Sequence, residues 1–305
     1  MSVLPGKILL ATDGSPDAEL ATTAAVDLST RSGAGLHVVH VGRSLSDHDR
    51  PESIPKDYSF LFAREAEELL GWQTKSIEDA GGVVARAHLR FGRPSEEILD
   101  LAKDLEAGMI LVGSRGRGPV ERLVMGSVSE DLVYKSFCPV LILRGDGKPW
   151  PPASVVTGDD SSRESTEAGK LAAGIGGLFG ARGFLVHAYP SLPEVSEEET
   201  PDARVVEDAL RRAEETLRER AAALKGPLGR APEVKVGVGD AAALILGVAR
   251  ETEPALVAVG SRGFGGAETI KRGYARLGSV STKVVRASRC PVLVCPARER
   301  SGEAR

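Results

Sequence analysis

Aromatic residues are scarce in this 305-residue chain: two Trp, four Tyr and seven Phe make up 4%. A core built largely without them must come from Val, Leu, Ile and Ala, which suits parallel sheets covered by helices better than an all-β sandwich. Cysteine is nearly absent, and Cys138, Cys290 and Cys295 form neither a metal-ligand spacing nor a disulfide framework. An excess of one sign of charge is missing as well. The formal net charge is −4; residues 1–148 carry 17 basic and 22 acidic side chains, and the remainder carries 22 and 21. Neither half offers the one-sided positive field that binding through a nucleic-acid backbone requires, so nucleic acid is not an expected partner. No stretch approaches the ~20 apolar residues of a membrane helix. The opening Met1–Gly6 lacks a charged start followed by an apolar run, unlike a signal peptide. The expectation is a soluble, cytoplasmic protein with no membrane contact.

What is present is a repeat. Val112-Gly113-Ser114-Arg115-Gly116-Arg117-Gly118 returns 147 positions later as Val259-Gly260-Ser261-Arg262-Gly263-Phe264-Gly265. Gly126-Ser127-Val128-Ser129 returns as Gly278-Ser279-Val280-Ser281, and Cys138-Pro139-Val140-Leu141-Ile142 as Cys290-Pro291-Val292-Leu293-Val294, each at 152. Near the start, Thr12-Asp13-Gly14-Ser15 is matched to Gly158-Asp159-Asp160-Ser161 at 146. A nearly constant offset with one step of five means duplication with an insertion between 265 and 278. With 42% apolar and 27% charged residues, the length suffices for two domains, each burying its own core.

Within each unit, apolar runs alternate with helical spacing. Strands are expected at Lys7–Ala11, Leu36–Val41, Val83–Leu89, Met109–Val112 and Val140–Leu143. Helices are expected at Pro16–Arg31, Phe60–Asp79, Pro94–Leu105 and Gly126–Ser136, with a polar loop containing Pro51 and Pro55 before the second. The second unit repeats this, with strands near 154–157, 183–188, 233–238, 255–259 and 292–295. Strands separated by helices give a parallel sheet with right-handed crossovers. The expected organisation is a domain over 1–144, a stiff linker over 145–152, a domain over 153–297 and a polar tail over 298–305.

In a doubly wound sheet, ligands sit beyond the carboxyl ends of the strands where strand order reverses. Thr12-Asp13-Gly14-Ser15, Val41-Gly42 and Gly113–Gly118 should meet there. Gly113-Ser114-Arg115-Gly116 is followed by nine residues and then Gly126-Ser127. Glycines let backbone N–H groups approach phosphate oxygens, and a helix opening at Gly126-Ser127-Val128 adds free N–H groups and a positive dipole end. Ser127 adds a hydroxyl, Arg115 and Arg117 add charge, and Asp13 suits ribose hydroxyls or a metal bridging to phosphate. Asp13 equally suits a turn or a helix cap, since Asp-Gly-Ser favours both.

The pattern Gly-x-x-Gly, nine residues, Gly-Ser is similar to the nucleotide-binding signature of universal stress proteins. The Thr12-Asp13-Gly14-Ser15 opening, the His40-Val41 strand end and Cys138-Pro139-Val140-Leu141 resemble that family too, once per repeat over nearly the whole chain. The resemblance implies an α/β fold of two tandem doubly wound, Rossmann-like domains, each a five-stranded parallel sheet in the order 3-2-1-4-5 flanked by helices. It implies an adenine nucleotide, ATP or else AMP or ADP, accompanied by Mg or Mn that Asp13 holds indirectly through the phosphates. The implied contacts are Ala11, Thr12, Asp13, Val41 for the base, Gly113, Ser114, Arg115, Gly116, Gly126, Ser127 and Val128. It further implies a stress-linked regulator without a catalytic residue, pairing its domains within the chain and pairing chains as a homodimer, with a regulatory protein partner.

The second unit departs from this signature. Gly260-Ser261-Arg262-Gly263 is followed by fourteen residues before Gly278-Ser279, and counting nine reaches Gly273-Tyr274. The stretch Glu268–Tyr274, with Lys271 and Arg272, either lengthens the phosphate loop or fills the site. Asp159 is assigned as the retained acid, with Asp160 in place of Gly14 and Ala188 in place of Val41. The second candidate set is therefore Gly158, Asp159, Ala188, Gly260, Arg262, Gly263, Gly278, Ser279 and Val280. Gly237-Val238-Gly239-Asp240-Ala241-Ala242 imitates a dinucleotide fingerprint, but on the third strand of its unit, and reads as a turn. Gly174-Ile175-Gly176-Gly177 reads as close packing within a helix. His37, His40, His88 and His187 read as packing or strand-end residues, and Arg64–Glu68 and Arg211–Arg220 as solvated helix faces. Two other readings stand beside the regulator: a slow ATPase or nucleotidyl transferase using the same loop, and an assembly module that binds no nucleotide.

Overall fold

Short apolar runs without polar interruption become strands buried on two faces, and here they do so in two compact units, Ser2–Arg144 and Gly145–Arg305. The structure, a computed structural model, describes residues 3–42, 59–116, 125–145, 149–189, 203–263 and 277–297. The loop with Pro51 and Pro55, Arg117 and Gly118, the stretch Glu268–Tyr274 and the polar tail over 298–305 lie outside the described residues.

The first unit runs β1 (Lys7–Ala11), α1 (Pro16–Ser32), β2 (Gly35–Gly42), α2 (Ser59–Asp79), β3 (Val84–Phe91), α3 (Pro94–Asp104), β4 (Met109–Gly113), α4 (Ser127–Lys135) and β5 (Val140–Leu143). Its strands lie in the order β3-β2-β1-β4-β5 and pair in parallel. β1 and β4 supply the centre: Leu9, Leu10, Ile110 and Leu111 are fully buried, each side chain worth roughly 1.5–3 kcal/mol against exposure. Strand order reverses between β1 and β4, so their carboxyl ends open a crevice.

The second unit runs β6 (Ser154–Gly158), α5 (Arg163–Phe179), β7 (Arg182–Tyr189), α6 (Ala203–Ala223), α7 (Lys225–Leu228), β8 (Glu233–Val238), α8 (Ala241–Glu251), β9 (Ala255–Gly260), α9 (Ser279–Ala287) and β10 (Val292–Cys295). Its order is β8-β7-β6-β9-β10, again parallel. The expected order 3-2-1-4-5 thus holds in each unit. The fingerprint-like Gly237-Val238-Gly239 ends an edge strand, two strands from the reversal, and Asp240 caps α8 by accepting from Ala243 N–H.

The sequence reading did not anticipate α7. This single turn packs under α5, where a Cβ on Gly177 would run into the Pro227 carbonyl and one on Gly176 would come within 2.9 Å of Leu228. Gly176 and Gly177 are therefore close-packing glycines, as expected. The segment expected as a linker clusters with the second unit, where buried Trp150 meets Phe179 edge-on at 5.3 Å between ring centroids.

Helix starts are built alike in the two units. Ser15 accepts from Ala18 N–H ahead of Pro16, and Ser162 accepts from Ser165 N–H ahead of Arg163. Each first helix ends in a left-handed glycine, Gly33 at φ 75 and Gly180 at φ 66.

Candidate functional site

Beyond the carboxyl ends of β1, β2 and β4 lies a cavity of about 240 Å³. Ala11, Thr12, Asp13, Val41, Gly113, Ser114, Arg115, Gly116, Gly126, Ser127 and Val128 all line it, with Ala18, Val39, Pro94, Ile98, Val112 and Ser129. Of the last six, Val112 and Ser129 belong to the repeated motifs, and Ala18, Val39, Pro94 and Ile98, which carried no local signature, close the walls.

The described residues on either side of the loop before α4 are tied together. Gly126 N–H donates to the Ser114 carbonyl at 2.8 Å, and the Ser129 hydroxyl donates to the same oxygen at 2.7 Å. Ser15, while capping α1, also donates its hydroxyl to the Arg115 carbonyl at 3.0 Å. Gly126 is the N-cap of α4 and brings no side-chain acceptor, so no side chain caps the start of α4. Exposed Ser127 stands at that start.

Asp13 serves the turn as well as the cavity. Its Oδ1 accepts from Ser15 N–H at 3.0 Å, and a Cβ on Gly116 would come within 2.5 Å of its Oδ2. Gly116 is therefore needed for the close approach of the glycine loop to this carboxylate. The helix cap is Ser15, so of the two local readings of Asp13 the turn is the one realised. Arg115 does not extend an unmatched charge. Its Nε and Nη2 donate to the two oxygens of Asp17 at 2.9 and 3.0 Å, and Asp17 is buried. Behind this pair sits buried Arg144, which burial pushes down to about 10.

The second unit repeats the construction around a cavity of about 400 Å³ lined by Gly158, Asp159, Ala188, Gly260, Arg262, Gly263, Gly278, Ser279 and Val280 among others. Ala188 and Ala241 stand where the first cavity has Val41 and Pro94, which removes wall volume. The five-residue insertion leaves the loop closure unchanged: Gly278 N–H donates to the Ser261 carbonyl at 2.8 Å, matching Gly126 and Ser114. Gly278-Ser279 thus takes the place that counting nine had given to Gly273-Tyr274.

One assignment from the sequence needs correction. Asp160, not Asp159, is the counterpart of Asp13: it accepts from Ser162 N–H and lies against Gly263, as Asp13 does with Ser15 and Gly116. The offset is 147 here as in the first glycine loop, and the apparent 146 came from aligning one Asp to the wrong neighbour. Asp159 replaces Thr12. It is buried, receives Arg220 Nε at 2.8 Å, and accepts from Ser161 N–H at 2.7 Å. That bond holds Ser161 at φ 66, the position of Gly14 at φ 71. Arg220 also donates to the Thr166 hydroxyl at 2.7 Å, so it leaves the solvated face to which its helix had assigned it. Arg211 and Arg218 remain there in exposed ion pairs with Asp208 and Glu214. Its counterpart in the first unit is buried Gln73, which accepts from Thr22.

Two histidines have a structural part that sequence spacing alone did not assign. Nδ1 of His40 lies 2.8 Å from the Thr12 carbonyl, and Nδ1 of His187 2.6 Å from the Asp159 carbonyl. A carbonyl only accepts, so Nδ1 carries the proton in each and the strand end is fixed against β1 or β6. Their recurrence at one offset was the available signal. His37 and His88 stack on the outer strands with Nδ1 and Nε2 3.1 Å apart. Among the described residues no three His, Cys, Asp or Glu side chains gather as a metal site, and no helix is long and apolar enough to cross a membrane.

Fold and site together define a duplicated doubly wound α/β protein with a glycine loop and a helix start at each reversal point. Residues 5–144 and 153–296 each match the model of the universal stress protein family. A universal stress protein of Mycobacterium tuberculosis is 30% identical over 295 residues, covering 94% of this chain and 96% of its own. A putative universal stress protein of Staphylococcus saprophyticus is 37% identical over 145 residues, covering 47% of this chain and 85% of its own. The crystal structure of a universal stress protein from Archaeoglobus fulgidus superposes with a TM-score of 0.66 at 25% identity, covering 96% of this chain and 99% of that one. The chain belongs to the universal stress protein family.

Proposed function

We propose that this protein is an ATP-binding regulator of the stress response, holding the nucleotide at the first-unit cavity. The observation that carries the proposal is the uncapped start of α4, brought against Ser114 and Arg115 by the Gly126 bond and opening on the cavity beside Ser127. Such a helix start attracts phosphate through its N–H groups and dipole. Val41 and Ile98 give an apolar wall for a base, and Asp13 an acceptor for ribose hydroxyls. A divalent cation, Mg or Mn, fits this set as a companion of the nucleotide: Asp13 offers one hard oxygen, and phosphate and water would supply the rest. Within the reading, the domains are 1–144 and 153–297, and the second-unit cavity is a further nucleotide site. Ligand binding then favours whichever conformation or partner complex holds the nucleotide more tightly.

The test is to denature freshly purified protein, identify the nucleotide released and count it per chain, then repeat with Ser127→Ala and Gly126→Ala. Loss of one equivalent of ATP in the variants supports the assignment. No nucleotide released, and no binding on adding Mg-ATP, would leave an assembly module in its place.

A further inference from the structure

The two cavities differ in how their loop arginine is engaged. In the first, the guanidinium of Arg115 is committed to Asp17 through two hydrogen bonds. In the second, Arg262 stands at the corresponding loop position and lines the cavity, half-buried. No hydrogen bond or ion pair engages it among the described residues. The position of Asp17 is taken by Glu164, which leaves Arg262 unclaimed. The remaining buried carboxylate there, Asp159, is already matched by Arg220.

We propose that the second site takes its nucleoside phosphate without a divalent cation, with Arg262 as the phosphate-contacting cation, whereas the first site requires the metal. The inference rests on the nucleotide reading above. A guanidinium has its donors in a fork that matches two phosphate oxygens, and it carries its charge at every working pH. In the second cavity such a guanidinium lines the wall, whereas in the first Arg115 is turned to Asp17 and Arg144 lies outside the cavity lining, so the charge on a bound phosphate there calls for a cation that arrives with it.

The experiment is calorimetric titration of the full chain, freed of nucleotide, with ATP in excess EDTA and again in excess MgCl2. Two equivalents are expected in Mg and one in EDTA. Arg262→Gln should weaken the EDTA-resistant equivalent about ten- to a hundredfold, the worth of a charge-assisted phosphate contact, and leave the other equivalent in place. Ser127→Ala should do the reverse. Because Arg262 has no partner among the described residues, its substitution should not move the unfolding midpoint, which separates lost contact from lost fold. If EDTA removes both equivalents, or Arg262→Gln keeps the resistant one, this inference is wrong while the nucleotide reading stands. If ATP binds under neither condition, the nucleotide reading itself falls.

Discussion

Adding one methyl group at Gly113 tests how the site is braced. A Cβ there would lie 2.6 Å from the Asp17 carbonyl carbon and 2.7 Å from Ala18 N. Ordinary heavy-atom contact is about 3.5–4 Å, so α1 would have to retreat from β4 by about 1 Å. The obstacle is helix backbone, which has no rotamer to change. Overpacking of this kind costs about 1–3 kcal/mol, and for a unit of this size about 2 kcal/mol lowers the unfolding midpoint by roughly 4–8 °C. Gly113→Ala should therefore show a lowered first transition in calorimetry, and it should lose ligand as a consequence. Gly126→Ala is the control. Its Cβ would meet the Ser114 carbonyl at 3.3 Å, at a φ of −70 that any residue adopts, so stability should stay within ~0.5 kcal/mol while phosphate approach is obstructed. A Gly113→Ala protein unfolding within 1 °C of the parent (about a quarter of the smallest shift expected here) would refute the argument that this glycine exists for helix–strand approach.

Arg220→Ala leaves the buried Asp159 carboxylate without its cation and should destabilise the second unit by about 3 kcal/mol, measured by urea unfolding. Asp159→Thr with Arg220→Gln copies Thr12 and Gln73 and should recover most of that loss; no recovery would show that the two substitutions are independent. Burial holds the His37 and His88 imidazoles below the usual 6.5, with Lys7 and Arg86 adding to it at His37, and His37, Arg86 and Arg90 at His88. Neutral in the fold, they are protonated first in the unfolded chain as pH falls through 6.5, so their contribution is present above that pH and lost below it. Thermal midpoints from pH 7.5 to 5 should fall less in His37→Phe, His88→Lys, which copies Phe184 and Lys235, than in the parent; equal slopes would contradict this.

The framework was legible because it is written in runs and repeats. Ile8–Ala11 and Met109–Gly113 announce central strands by lacking polar residues, and the strand order follows from alternation with helices. The glycine loop was legible because backbone approach demands glycine at fixed spacing. Charge pairing was not. Arg115 meets Asp17 across 98 positions, and Arg220 meets Asp159 across 61; neither separation leaves a periodic trace. The same blindness misassigned Asp159. Two adjacent acids are indistinguishable by type, and only the turn, with Asp160 accepting from Ser162 N–H, separates the counterpart of Asp13 from the counterpart of Thr12.

The duplication also shows how a site can change charge without changing shape. Closure of the loop onto Ser114 or Ser261, the serine cap of α1 or α5 and the histidine beneath the turn are kept in each unit. Around that constant frame, Thr12 and Gln73 become Asp159 and Arg220, a paired exchange in which each charge offsets the cost of burying the other. The exchange has a backbone consequence, since the carboxylate of Asp159 secures Ser161 in the left-handed conformation that Gly14 adopts freely. Asp159 without Arg220 would leave a buried charge unmatched, so the acid depends on the arginine. Replacing Asp17 by Glu164 had no such constraint, because Glu164 is only half-buried and Arg262 can face solvent or ligand. Divergence between the sites is therefore expected first at the loop arginine, where one carboxylate decides whether a guanidinium serves the fold or the ligand.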